Sequence, residues 1–185
     1  MTIRLAVFDC DGTLSDGQAN ICRAMEAAYA AGGLPVPPRE AIRGIVGLSL
    51  VEAVAALSPE ADAALHRALA ADGWLLGIAT GKSDRGLAHL LAHHGLSDRF
   101  VTLQTADRHP SKPHPAMLEA AMAQAGALPH MTAMIGDTSY DMAMARAAGV
   151  RAVGVTWGYH DEATLRAAGA QAIARTGAQI AACLA

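Results

Sequence analysis

A chain of 185 residues has room for one core domain and perhaps a small insertion. Hydrophobic residues make up 52% and charged ones 17%, the balance of a well-buried globule rather than a disordered chain. A net charge of -3 carries no basic surplus, which argues against nucleic acid and anionic membranes as main partners.

No apolar run approaches the roughly 18 residues of a membrane span, and Met1-Thr2-Ile3-Arg4 leads into a strand instead of a signal-peptide core. The expected location is the cytoplasm. Cys10, Cys22 and Cys183 are far apart and form no Cys-x-x-Cys, so free thiols are expected rather than disulfides or a zinc knuckle.

In chain order, Leu5-Ala6-Val7-Phe8 predicts a short buried strand that runs into Asp9-Cys10-Asp11-Gly12-Thr13. Ile21, Met25, Ala28 and Tyr29 then recur at helical spacing up to Gly32-Gly33. Pro35, Pro37 and Pro38 break the chain before short helices over 39–46 and onward through Leu57, and Pro59 opens another over 60–71. Trp74 to Ala79 is a continuous apolar run, suited to a strand covered on both faces, and it ends at Thr80-Gly81-Lys82-Ser83. A helix over 84–94, a weaker strand over 100–103, the stretch Ser111-Lys112-Pro113-His114-Pro115 and a helix over 115–125 follow. Thr132 to Ile135 is the next strand, ending at Gly136-Asp137-Thr138-Ser139-Tyr140-Asp141, with a helix running to Gly149. Strands over 152–155 and 172–174 alternate with helices over 161–168 and 178–184. Alternation of this kind predicts an α/β fold, a doubly wound parallel sheet with helices on both faces.

In such a sheet ligands lie beyond the carboxyl ends of the strands, which is where Asp9 and Asp11 fall. With a period of two their side chains share one side, and Cys10 points to the other. A calcium loop counted from Asp9 fails, because Leu14 stands where Gly is needed and Asn20 where the closing carboxylate is needed. Three further segments end in groups suited to phosphate chemistry, which needs a nucleophile, a proton donor and cationic or N–H groups around the transferred oxygens. Thr80 offers a hydroxyl, Gly81 and Lys82 offer amides near a helix start, and Lys112 offers a cation. Asp137, Asp141 and Asp9 would repel one another unless a cation lay between them, and Mg2+ suits such oxygen donors.

Plainer readings exist for each: a helix cap at Thr80 to Ser83, a solvated Lys112, capping roles for Asp137 and Asp141. Gly77 to Ser83 imitates a nucleotide-binding glycine loop but is one residue short. His89 and His93 have a metal-like spacing without a nearby acid, and are read as a solvent face. His114 is read as local structure, and Cys10 as a packed thiol.

The ordered set of an acid pair, then Thr, then Lys, then a second acid pair resembles the four motifs of the haloacid dehalogenase superfamily. It most resembles the phosphoglycolate phosphatase-like branch, whose last-strand segment is similar to Gly154 to Tyr159. The resemblance implies a Rossmann-like core over 1–16 and 66–185, with a small helical cap over 17–65 inserted after the first strand. It implies Asp9 as the nucleophile that becomes an aspartyl-phosphate, and Asp11 as the acid and base. Thr80, Gly81 and Lys112 would bind the phosphate; Asp9, Asp11 (through its carbonyl) and Asp137 would hold Mg2+, with Asp141 in support. The implied activity is a magnesium-dependent phosphatase acting on a small phosphorylated metabolite, phosphoglycolate first among them, as a monomer or homodimer. A β-phosphoglucomutase-type phosphomutase and a non-catalytic phosphate-binding regulator are the alternatives. One departure concerns the cap: only about 60 residues separate the first two motifs, without the Pro-Gly turn usual in the branch. Either the cap is reduced or the chain as given lacks a segment near 60–65; the second reading is favoured.

Overall fold

The computed structural model describes residues 2–14, 38 and 73–185. The readings over 15–37 and 39–72, including the whole expected cap apart from residue 38, lie outside the described residues.

Six strands form one parallel sheet: β1 (Arg4–Phe8), β2 (Trp74–Thr80), β3 (Thr102–Thr105), β4 (Thr132–Gly136), β5 (Arg151–Val155) and β6 (Ala172–Ala174). Their order is β3-β2-β1-β4-β5-β6, and every neighbouring pair is parallel. Helices α1 (Asp84–His93), α2 (Ala116–Ala125), α3 (Ser139–Ala147), α4 (Glu162–Ala168) and α5 (Ile180–Leu184) alternate with the strands after β2. This is the doubly wound order, and its reversal falls between β1 and β4.

The period of two in the strands sorts the core into two layers. Ala6, Phe8, Ile78, Ile135, Val153 and Val155 face α1 and α5, packing on Leu87, Leu90, Leu91, Ile180 and Leu184. Leu5, Val7, Met134 and Ala152 face the other way, onto Met117, Leu118, Met142 and Leu165 of α2, α3 and α4. Full burial of one such side chain stabilises by about 1.5–3 kcal/mol, so the sheet is held rigidly from both sides. Cys10 joins the layer of Ala6 and Phe8, which leaves Asp9 continuing the row of Leu5 and Val7.

Some boundaries differ from those read in the sequence. The third strand begins at Thr102 rather than at Phe100. Phe100 is buried in the core ahead of the ladder, and Gly77 of β2 pairs with Thr102, whose methyl group fills the space a Cβ would need. The last helix is preceded by a single 3-10 turn over Gly177–Gln179, so α5 starts at Ile180.

Candidate active site

Four loops meet at the carboxyl end of the sheet beside the β1–β4 switch. The Asp9 amide donates to the Ile135 carbonyl at 2.8 Å, extending the ladder one residue past β1 and fixing the side chain at the rim. Gly12 then turns the chain with φ of 81°, a conformation that glycine adopts without strain. A Cβ there would also overlap Asp137 and Tyr159.

Lys112 is buried and inserts its ammonium between two carboxylates, 2.6 Å from Asp9 Oδ1 and 2.7 Å from Asp141 Oδ1. Asp141 is in turn fixed by a capping box at the start of α3. Its Oδ2 accepts from the Thr138 amide at 3.0 Å and the Thr138 hydroxyl at 2.6 Å, while Thr138 Oγ1 accepts from the Asp141 amide. Asp137 is held at both oxygens: Oδ1 accepts from Thr13 Oγ1 at 2.9 Å and Oδ2 from the Tyr159 amide at 2.9 Å. The loop after β5 wraps this carboxylate. The His160 amide donates to the Asp137 carbonyl at 3.2 Å, His160 Nδ1 accepts from the Ser139 amide at 2.9 Å, and the Trp157 indole donates to the Thr13 carbonyl at 3.0 Å.

At the end of β2, Thr80 is fully buried and its Oγ1 accepts from the Lys82 amide at 3.2 Å. That amide is therefore turned inward. Helix α1 starts two residues later, where the Ser83 side chain accepts from the Gly86 amide and Asp107 accepts from the Asp84 amide. The Lys82 ammonium reaches across to Asp11 Oδ1 at 2.7 Å.

Four carboxylates, Asp9, Asp11, Asp137 and Asp141, thus face two ammonium groups. Burial and this imbalance act together on two of the carboxyl groups. Burial, joined by the charges of Asp141 and Asp11, pushes the Asp9 carboxyl up to about 7 even though Lys112 opposes the shift. Burial and then Asp9 and Asp141 push Asp137 well above the ordinary carboxylate range, against its bonds from Tyr159 and Thr13. For Lys112, burial favours the neutral amine, but Asp141 and Asp9 outweigh it and keep the group cationic. One oxygen from each of Asp9, Asp137 and Asp141 lies within 4.8 Å of the others, among the described residues the one cluster of three or more potential ligands of this kind. Hard oxygen donors with two negative charges in excess fit a divalent cation such as Mg2+.

Asp9, Asp11, Lys112, Asp137 and Asp141 are therefore brought together at this rim, with Thr80 at the end of β2 beside them. Gly81 sits between Thr80 and Lys82 on the β2–α1 loop. His89 and His93 are exposed on α1 with ring centroids 6.5 Å apart, and His114 Nδ1 accepts from the Ala116 amide at the start of α2. The Cys10 thiol is pushed up by burial and then by Asp11, which leaves it a packed, protonated group. The sequence reading missed the Lys82 ammonium, the Thr13 hydroxyl and the wrap of 157–160 around Asp137. The Gly-x-x-x-Gly-Tyr signature at 154–159 pointed toward the last of these without saying what it touches.

This rim, on this sheet, is that of a hydrolase built on a doubly wound domain. The chain belongs to the haloacid dehalogenase-like hydrolases: residues 62–155 match that family. It is 35% identical to the probable phosphatase IndB of Dickeya dadantii, over 95% of this chain and 91% of that protein. It is 30% identical to a phosphoglycolate phosphatase of Yersinia pestis, over 85% and 83% of the two. The structure of a haloacid dehalogenase-like family hydrolase from Streptococcus pneumoniae superposes with a TM-score of 0.84 at 25% identity, covering 97% of each chain. The alignment with IndB runs over 210 positions, more than the 185 residues of this chain, so IndB has residues with no counterpart here.

Proposed function

We propose that the protein is a magnesium-dependent phosphatase that hydrolyses a small phosphate monoester through an aspartyl-phosphate, with phosphoglycolate as the first substrate to test. The observation that carries this reading is the meeting of Asp9, Lys112, Asp141 and Asp137 in one buried cluster, with Asp11 and Thr80 beside it. The phosphatase relatives support it.

In this reading the Asp9 carboxylate attacks phosphorus while the bond to the ester oxygen breaks, and Asp11 gives that oxygen its proton. Asp11, now a carboxylate, takes a proton from water as the water oxygen attacks phosphorus, and inorganic phosphate leaves with Asp9 regenerated. Lys112 orients Asp9 and, with the Thr80 hydroxyl and Gly81 amide, offers donors to the phosphoryl oxygens. Asp9, Asp137 and the Asp11 carbonyl would hold Mg2+, which supplies positive charge against the substrate's phosphate. Asp141 acts through Lys112 by fixing its ammonium.

The chain is further read as a core over 1–16 and 66–185 with a cap over 17–65 that is either reduced or lacks a segment near 60–65, working in the cytoplasm as a monomer or homodimer. Among the described residues no helix is long and apolar enough to cross a membrane. Phosphate release from a panel of phosphate esters, phosphoglycolate and p-nitrophenyl phosphate included, tests the reading with and without Mg2+. The expected result is metal-dependent release that Asp9→Asn abolishes. Release that survives this substitution would overturn the role of Asp9, and no release from any ester would overturn the enzyme.

A further inference from the structure

The site contains two lysines, and the foregoing chemistry uses only Lys112. Lys82 is 6% exposed, and its ammonium lies 2.7 Å from Asp11 Oδ1, so a lysine has been desolvated beside the carboxylate read as proton donor. Its stem leaves a loop fixed at both backbone groups. The Lys82 amide donates to Thr80 Oγ1 at 3.2 Å, and its carbonyl accepts from the Ala106 amide at 3.3 Å. The next amide but one is held by Asp107 at 2.7 Å, which ties the β2–α1 loop to the loop after β3. Asp11, by contrast, precedes the Gly12 turn, and its side chain is more exposed than that of Asp9. Lys112 is already engaged by Asp9 and Asp141.

We propose that Lys82 is a positioning residue for Asp11: its ammonium holds the carboxyl group toward the ester oxygen that must be protonated, without itself binding the transferred phosphate. An acid helps only while it lies within hydrogen-bond reach of the oxygen it serves, and esters with poor leaving groups depend on that help most. The inference rests on the reading of Asp11 as proton donor.

The test is kcat/KM, which reports the first, phosphorylating step, for the full-length protein and its Lys82→Met, Lys82→Gln, Lys82→Arg, Asp11→Asn and Asp11→Asn/Lys82→Met variants. Each is assayed on phosphoglycolate, or the best alkyl phosphate found, and on p-nitrophenyl phosphate. Lys82→Met and Lys82→Gln are expected to lose about 10- to 100-fold on the alkyl ester and less than about threefold on the aryl ester. Lys82→Arg, which keeps a cationic donor, recovers most of the loss, and Lys82→Met adds nothing in the Asp11→Asn background. Equal losses on both esters, or a full additional loss in that background, would show Lys82 acting on the phosphate itself and overturn the proposal. An Asp11→Asn variant with no preference between leaving groups would instead remove Asp11 as donor, and the proposal would fall with it. Thermal melts of the single variants separate any of these results from a failure to fold.

Discussion

Asp141 divides its two oxygens between two tasks: Oδ2 closes the capping box with Thr138, and Oδ1 accepts from the buried Lys112 ammonium at 2.7 Å. Helix α3 therefore starts where the lysine can be held, and the fold's stability and the site's geometry depend on one carboxylate. Asp141→Ala would remove the reciprocal half of the capping box and strip one partner from a buried cation. The expected loss is about 2–4 kcal/mol, read as a lower urea midpoint, and Asp141→Asn, which keeps an acceptor, should lose less. Activity should fall in both, because the Lys112 ammonium then loses the carboxylate charge of Asp141 that helps to fix it beside Asp9.

Metal should matter to stability as well as to turnover. Two ammonium groups face four carboxylates, and burial first, then the neighbouring carboxylate charges, holds Asp9 and Asp137 above the ordinary carboxylate range. A cation bound by the folded state alone stabilises by mass action, by about 2.7 kcal/mol at a hundred times its dissociation constant. Mg2+ is expected to raise the melting temperature in a titration that EDTA reverses, and Asp137→Asn should abolish most of the rise. An unchanged melting temperature up to millimolar Mg2+ would count against a metal at this cluster.

Much of this arrangement was legible in the sequence because it is local. The strand before Asp9, the apolar run over 74–79 and the Gly136-Asp137 strand end each announce a carboxyl terminus of a buried strand, and the alternation with helices orders them in one sheet. What was not legible is pairing across long separations. Lys82 and Asp11 stand 71 positions apart, and Thr13 and Asp137 stand 124 apart. No local pattern distinguishes the first pair from an ordinary helix entry and an ordinary acidic turn. The β3 boundary was misplaced for a related reason: Phe100 and Val101 are apolar enough for a strand, but the register is set by Gly77 accepting the bulk of Thr102 from the neighbouring strand.

The joint between the β2–α1 and β3 loops carries a small pH dependence. The Thr105 hydroxyl donates to Asp84 Oδ1 at 2.6 Å, and Arg108 lies 2.9 Å from the same oxygen. The hydroxyl, ahead of the guanidinium, holds the Asp84 carboxyl below its usual value of 3.8. A carboxylate lowered in the folded state adds stability that is fully present above its unfolded value and is lost as pH falls through the lower folded one. The pair is about half exposed, so the charge is worth only about 0.5 kcal/mol at neutral pH. Asp84→Asn, compared with the parent by urea unfolding, should show that gap at pH 7 and none at the acid end, below the folded value. A gap that widened with acid would reverse the sign and reject the account.

Gly158 offers a test of how tightly the 157–160 loop must embrace Asp137. A Cβ at this position would overlap the Asp137 side chain, whose Oδ2 accepts from the neighbouring Tyr159 amide at 2.9 Å. The methyl group of Gly158→Ala must therefore push either the loop or the carboxylate, and only the carboxylate touches the metal cluster. Shifts in groups that orient a metal ligand cost about 10- to 100-fold in metal affinity, so Gly158→Ala should need that much more Mg2+ for half-maximal activity. Gly177→Ala, where a Cβ meets nothing within 4 Å, is the matched control and should leave the Mg2+ requirement unchanged. Equal Mg2+ requirements in both variants would mean that the loop yields instead, and that Asp137 is placed by Thr13 and its own strand.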